Sequence, residues 1–324
     1  MARIGFHASH EQASPRQLLQ DVQHAERAGF ACAMSSDHIA PWSARQGHSG
    51  NTWVWLGAAL ATTRLPIGTL AIPGPRYHPA VLAHQIATLA QMFPDRTWAA
   101  LGSGEALNEH VTGTPWPAKE QRVEHLEASA EVIARLQAGE EVNRTAPMTV
   151  DRARLWDVPD TPAPLRAAAI SAGSAARAAS WADGLVTVVQ PVPALREVVS
   201  AYRDGGGRGP LALQLHLSWA PESSEAEALA VDQWSTNTFP ADVAGDTETT
   251  AEFDRLAADV TPAAVHDSVR ISHDLGRHRE WIAEYADLGF EEIYLHHVGQ
   301  EQTRFIDTFA EHVLPAVSST EENR

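Results

Sequence analysis

Gly29-Phe30-Ala31-Cys32-Ala33-Met34-Ser35-Ser36-Asp37-His38-Ile39-Ala40-Pro41-Trp42 is the stretch whose reading decides the fold. Its apolar half reads as a buried strand over Ala31–Ser35, which stops at Ser35-Ser36. An acid, an imidazole and an indole follow on a segment that Pro41 keeps out of helix. Titratable groups just past the C-terminal end of a buried strand are what an α/β barrel offers to catalysis.

The same alternation runs through the whole chain. Further strand-like runs are Arg3–His7, Pro66–Leu70, Thr97–Leu101, Leu165–Ile170, Gly184–Val189, Leu211–Ser218 and Glu291–His296. Helix-like runs separate them at Ser14–Ala28, Thr52–Thr62, Ala80–Met92, Glu120–Leu136, Ser174–Trp181, Pro193–Asp204 and His278–Asp287, with Gln300–Pro315 last. Ser14-Pro15 is a capping residue followed by proline at the first helical position. Eight such pairs predict a (β/α)8 TIM barrel occupying 1–317, with 318–324 a frayed tail. Two segments, 139–164 and 222–266, are too long for single connections and predict insertions after strands 4 and 7, the first holding a hairpin near Met148–Leu155. The alternative is a doubly wound open sheet, which the absence of Gly-x-Gly-x-x-Gly after strand 1 disfavours.

Charge narrows the partners. With 24 basic and 41 acidic residues the net charge is −17, the wrong field for nucleic acid or an anionic membrane. No apolar run approaches the ~20 residues of a membrane span, and Met1–His7 opens no signal peptide, so the expectation is a soluble cytoplasmic protein. The single cysteine, Cys32, reads as a small buried apolar residue. Schiff-base chemistry would fall to Lys119, the only lysine, in a polar stretch.

A barrel would gather the strand ends at one mouth. These ends carry His7 and Glu11; Asp37, His38 and Trp42; Gly102-Ser103-Gly104-Glu105-Ala106-Leu107-Asn108-Glu109-His110; Gln214 and His216; and His296-His297. Asp37-His38 reads either as a cap followed by a polar loop residue or as a carboxylate raising and orienting an imidazole base. The glycines of Gly102-x-Gly104 let backbone approach a flat ligand, and Glu105 is set to give a proton, unless the turn is merely tight and the acid exposed. Ser171-Ala172-Gly173-Ser174 offers free amides at a helix start, suited to an anion. Of ten tryptophans only Trp42 stands out, through its company.

Ser36-Asp37-His38-x-x-Pro41-Trp42, Gly102–Glu109 and Arg76-Tyr77-His78-Pro79 together resemble the bacterial luciferase-like oxidoreductases, near the deazaflavin-dependent glucose-6-phosphate dehydrogenases. The opening His7-Ala8-Ser9-His10-Glu11-Gln12 resembles a side branch that has returned to an ordinary flavin. The resemblance implies an isoalloxazine-like ring across the mouth, from FMN or coenzyme F420, with a lean to FMN. It implies His38 as base for a hydroxyl proton, Asp37 holding both ring and imidazole, and Glu105 as proton donor to the ring, with Asn108 nearby. It further implies Trp42 and Glu11 on the substrate side and a non-proline cis peptide at Leu70–Ala71.

The family's phosphate-holding lysine after strand 6 is replaced by Val188-Val189-Gln190-Pro191, which argues against glucose 6-phosphate. The expectation is hydride transfer on a small organic substrate, with O2 a further acceptor, in a homodimer. Two other readings are kept: a metal-dependent hydrolase or isomerase, prompted by His7-x-x-His10, and a non-catalytic flavin-binding protein.

Overall fold

The computed structural model describes residues 2–318. Eight parallel strands form a closed cylinder: β1 (Arg3–Ala8), β2 (Cys32–Ser35), β3 (Ile67–Ala71), β4 (Thr97–Leu101), β5 (Leu165–Ala168), β6 (Leu185–Val188), β7 (Leu211–Ser218) and β8 (Glu292–His297). Each pairs with its sequence neighbour, and β8 closes on β1 through Arg3↔Glu292 to Phe6↔Leu295. The expected (β/α)8 barrel is therefore the fold.

Most boundaries lie within two residues of the expected ones. The first helix, Pro15–Arg27, starts where Ser14 Oγ accepts from the Gln17 amide at 3.3 Å. The helix after β5 runs from Ala172 to Ala178 rather than Ser174 to Trp181. The closing helix is broken into Thr303–His312 and Leu314–Ser318, because Pro315 has no N–H to continue the ladder. Ser318, expected in the tail, still belongs to that helix, and 319–324 lie outside the described residues.

Both insertions are present. The first carries an antiparallel hairpin, Val142–Arg144 with Val150–Ala153. The second carries helices Ser223–Trp234, Ala241–Asp246, Thr250–Leu256 and Pro262–Ser268. It ends in a two-residue strand, Arg270–Ile271, that pairs parallel with the end of β7.

Period-2 alternation sends Ile4, Phe6 and Ala8 outward against the helices and Gly5 and His7 inward. The lower interior is filled by Cys32, Met34, Trp98, Ala100, Val186, Ala212 and Tyr294. The two large rings fit because glycines face them. A Cβ on Gly68 would lie 1.9 Å from Trp98, and one on Gly5 would lie 2.5 Å from Tyr294.

A buried ion network closes the same end. Arg166 holds Glu292 with two contacts, at 2.5 and 3.2 Å, and lies 4.1 Å above the Trp98 ring. The Tyr294 hydroxyl donates to Glu292 at 2.6 Å, and Arg3 pairs with the same carboxylate. The barrel is thus plugged at its N-terminal end, and ligands are left the other one.

Candidate active site

At the C-terminal end the loop after β2 is fixed from several directions. Ile39 N–H donates to Asn108 Oδ1 at 2.9 Å, Ser49 Oγ donates to the His38 carbonyl at 2.7 Å, and Thr250 Oγ1 donates to the Pro41 carbonyl at 2.7 Å. Arg76 reaches Asp37 with Nη1 at 3.3 Å and Nη2 at 3.1 Å, and binds Glu109 through its own amide at 2.8 Å. Burial pushes the Asp37 carboxyl up to about 6, with the Arg76 guanidinium pulling the other way.

This arrangement corrects two expectations. Asp37 bonds Arg76, not the imidazole, because a guanidinium compensates a buried carboxylate better than a neutral ring does. Asn108 gives its carbonyl oxygen to the loop backbone. The Leu70–Ala71 bond is trans, and the cis peptide among the described residues is Ala146–Pro147. Leu70 and Ala71 pair in unbroken register with Ala100 and Leu101, so nothing there supports the roughly 3 kcal/mol a non-proline cis bond costs.

The carboxylate that meets His38 is Glu11. Its Oε1 lies 3.7 Å from His38 Nδ1, and each of these buried atoms lacks a hydrogen-bond partner. The other carboxylate oxygen accepts from Ser9 Oγ at 2.7 Å and from Ser36 Oγ at 2.8 Å, which fixes the head group. Burial lowers the His38 pKa from its ordinary value, and the opposing pull of Glu11 does not reverse this. The imidazole is therefore neutral and able to accept a proton at neutral pH, contrary to the raised pKa expected from a carboxylate neighbour. Trp42 packs against it, with ring centroids 5.1 Å apart, and is itself braced edge-on by Phe253 at 5.0 Å.

Glu105 lies just past β4, at the start of the short helix Ala106–Glu109, and has no ion-pair partner among the described residues. Burial, reinforced by the Glu11 charge, pushes its carboxyl up to about 8, so it is an acid at neutral pH. Glu11, His38, Trp42 and Glu105, distant in sequence, thus share one mouth.

Between them the upper ends of β3, β4 and β5 are small or apolar: Leu70, Gly102 and Ala168. A Cβ on Gly102 would already stand 3.1 Å from Ile72 and 3.6 Å from Ala168. Past β5, the Ser174 N–H donates to Ser171 Oγ at 3.3 Å and so is not free for an anion, while Ala172 and Gly173 form the start of the helix, with open space around Gly173.

His7 and His10 point apart. His7 stacks near His296, with centroids 4.3 Å apart, and His10 sits edge-on to Trp55 at 5.1 Å. Among the described residues no three His, Cys, Asp or Glu side chains gather as a metal-binding group.

Sequence pattern alone gives no role to Arg76, Glu109, Ser9, Ser36, Gln12 or Trp234. Arg76 and Glu109 stood inside the quoted motifs, but nothing in local pattern tells which distant residue a buried ion will find.

A family model described as luciferase-like monooxygenase matches residues 1–292. The chain belongs to the luciferase-like monooxygenase family. This luciferase-like oxidoreductase is 32% identical to an F420-dependent glucose-6-phosphate dehydrogenase of Beutenbergia cavernae, over 99% of both chains. It is 33% identical to the enzyme of the same name from Microbacterium testaceum, over 97% of this chain and 96% of that one. Among solved structures it superposes on an F420-dependent secondary alcohol dehydrogenase in complex with an F420-acetone adduct. That match has a TM-score of 0.91 and 27% identity, covering 98% of this chain and 99% of the other. The monooxygenase RslO1 from Streptomyces bottropensis, at 20% identity and a TM-score of 0.68 over 97% and 99% of the two chains, shares the fold.

Proposed function

We propose that this oxidoreductase transfers a hydride between an alcohol carbon and coenzyme F420, with His38 as base toward the hydroxyl and Glu105 as acid toward the ring. One observation carries the reading: His38, faced by Glu11 at 3.7 Å and packed by Trp42, shares one barrel mouth with the Glu105 carboxyl, and burial lowers the pKa of the imidazole while raising that of the acid. The shelf formed by Leu70, Gly102 and Ala168 suits a flat ring. Bound there, a deazaflavin supplies the two-electron acceptor.

The protein's share is orientation and protons. His38 takes the hydroxyl proton as the carbon–hydrogen bond breaks with its electron pair, leaving a ketone. Trp42 fixes the plane of the imidazole, and Glu11 faces Nδ1 so that Nε2 is the accepting atom. Glu105 holds a proton on its carboxyl for the ring. Similarity to F420-dependent enzymes favours F420 over FMN, toward which the sequence leans. FMN is the second reading, supported by the opening His7–Gln12.

Titration of the protein with F420, FMN and FAD, followed by ring absorbance and tryptophan quenching, tests this. F420 is expected to saturate at the lowest concentration. Binding of none of the three would remove the redox reading.

The pH profile follows from Glu105. Its carboxyl is protonated below about 8 and loses the proton above, so kcat/KM should fall on the alkaline side of 8. Glu105→Gln should lower turnover at neutral pH about 100-fold and abolish that alkaline limb. An identical limb in the variant would assign it to another group.

We also propose a homodimer through the helices Thr52–Thr62 and Pro79–Met92. Neither contains an Asp, Glu, Lys or Arg, in a chain that is 20% charged, yet they leave Val54, Val81 and Met92 exposed. Sedimentation should give twice the chain mass, and Val54→Asp combined with Val81→Asp should give monomer. A wild-type monomer at micromolar concentration would refute the pairing.

A further inference from the structure

Above Gly5, Ala212 and Tyr294 the inward positions of β1, β7 and β8 are His7, Gln214, His216 and His296. This half of the mouth is polar where the β3–β5 half is apolar, and its polar groups are wired together. Gln214 Nε2 lies 3.3 Å from His7 Nε2 and 3.0 Å from His296 Nδ1. An amide nitrogen has two hydrogens to give and accepts nothing, so both ring nitrogens are acceptors, and each imidazole carries its proton on the other nitrogen.

For His296 that proton, on Nε2, goes to Gln12 Oε1 at 2.7 Å. For His7 it sits on Nδ1, which is buried and has no partner. Trp234, its ring 4.7 Å from His216 and 4.8 Å from His296, also has a buried Nε1–H without a partner. His7 and Trp234 are 3% and 4% exposed, and an unmet buried donor costs roughly 1–3 kcal/mol. One such group is common enough, but two in one cluster beside a reaction centre call for acceptors.

Those acceptors must be uncharged. Burial holds His7 and His216 at about 3 and His296 well below its ordinary value, so the wall is neutral. The nearby cations are engaged. Arg270 donates to the Tyr285 hydroxyl at 2.7 Å and to the Gln190 carbonyl at 3.2 Å, and Arg76 is bound to Asp37 and Glu109. The groups that act electrostatically on His7 are Glu11, His216, His10 and His38, and the one charge among them at neutral pH is negative. An anion brought here would meet the Glu11 carboxylate with no free cation among the described residues of the mouth to offset it.

We infer that the β7–β8–β1 wall binds an uncharged alcohol carrying at least two oxygens, which accept from His7 Nδ1–H and Trp234 Nε1–H, and that it rejects phosphorylated and carboxylated analogues. This rests on the oxidoreductase reading for the reacting hydroxyl, but the recognition itself does not require turnover.

The test compares matched pairs on the F420-loaded enzyme: glucose with glucose 6-phosphate, and propane-1,2-diol with lactate. Initial rates are read from ring absorbance and binding from tryptophan quenching. The uncharged member of each pair should bind at least tenfold more tightly. His7→Phe and Trp234→Phe should each raise KM about tenfold, the loss of one hydrogen bond, with kcat within threefold and F420 affinity unchanged.

Charged members that bind as well as the neutral ones would overturn the inference. So would an unchanged KM in both variants, which would leave ordered water as the donors' partner. A ring that stays oxidised with every alcohol would refute the redox reading alone, since quenching still ranks the pairs. If one variant misfolds, the other carries the KM comparison.

Discussion

Replacing His38 with alanine should lower turnover by about 10²- to 10⁴-fold while leaving F420 affinity within a factor of two. The separation of effects follows from what holds each part. The loop from Asp37 to Trp42 is tied by Asn108, Ser49, Thr250 and Arg76, all of which bind its backbone or Asp37 and none the imidazole. Removing the ring therefore leaves the loop where it is. The shelf proposed for the cofactor lies on β3, β4 and β5 and contains no atom of His38. Trp42 loses one neighbour but keeps Phe253. His38→Asn, which retains a polar group of similar reach without the basicity, should be as slow as the alanine variant. Stopped-flow reduction of bound F420 measures the step. Turnover within threefold of wild type in both variants would remove His38 as the base and direct attention to Glu11.

The second large effect belongs to the opposite end of the barrel. Arg166→Met should destabilise the fold by about 3–5 kcal/mol, because it leaves Glu292 buried beside Tyr294 with only the half-exposed Arg3 as a cation. With an unfolding entropy near 2.1 cal/mol/K per residue, this lowers Tm by roughly 4–7 °C for a chain of this length. The double variant Arg166→Met/Glu292→Met should recover part of the loss, since an apolar pair needs no compensating charge and Arg3 can turn to water. Calorimetry of the three proteins decides it. A double variant less stable than the single one would mean that the ion network itself, rather than the isolated carboxylate, sets the stability. Neither variant touches the mouth, so F420 affinity should be unchanged at 25 °C.

Local pattern made the cylinder legible and left its connections opaque. All eight strands were apparent because each is a short apolar run cut off by glycine, proline or a polar pair, as at Ser35-Ser36 and Pro73-Gly74-Pro75. Arg270–Ile271 was not apparent, since two residues have no periodicity and their strand exists only through pairing with Leu217 and Ser218. Glu11, His38, Trp42 and Glu105 could be picked out as strand-end groups because a barrel sends all such ends the same way. Their partners could not. Asp37 is adjacent to His38 in sequence yet bonds Arg76, 39 residues on, while Glu11 crosses 27 positions to face the imidazole. The lowered pKa of His38 is illegible for the same reason: a sequence displays the neighbouring carboxylate but not the loss of water around a buried ring.

The segment between β7 and the last β/α unit meets the catalytic loop through a handful of side-chain contacts. Thr250 reaches Pro41, Asp254 accepts from Ser43, Arg45 binds the Asp232 carbonyl, and Phe253 backs Trp42. It returns to the cylinder by a two-residue pairing and contributes none of the eight strands. Such a roof can be recut between its anchors: new sequence over 222–269 that keeps Trp234, Thr250 and Phe253 would reshape what the entrance admits while the catalytic loop stays tied. A lineage needing a different substrate has room to vary between those three positions, which makes this stretch the natural target for redirecting the enzyme by grafting.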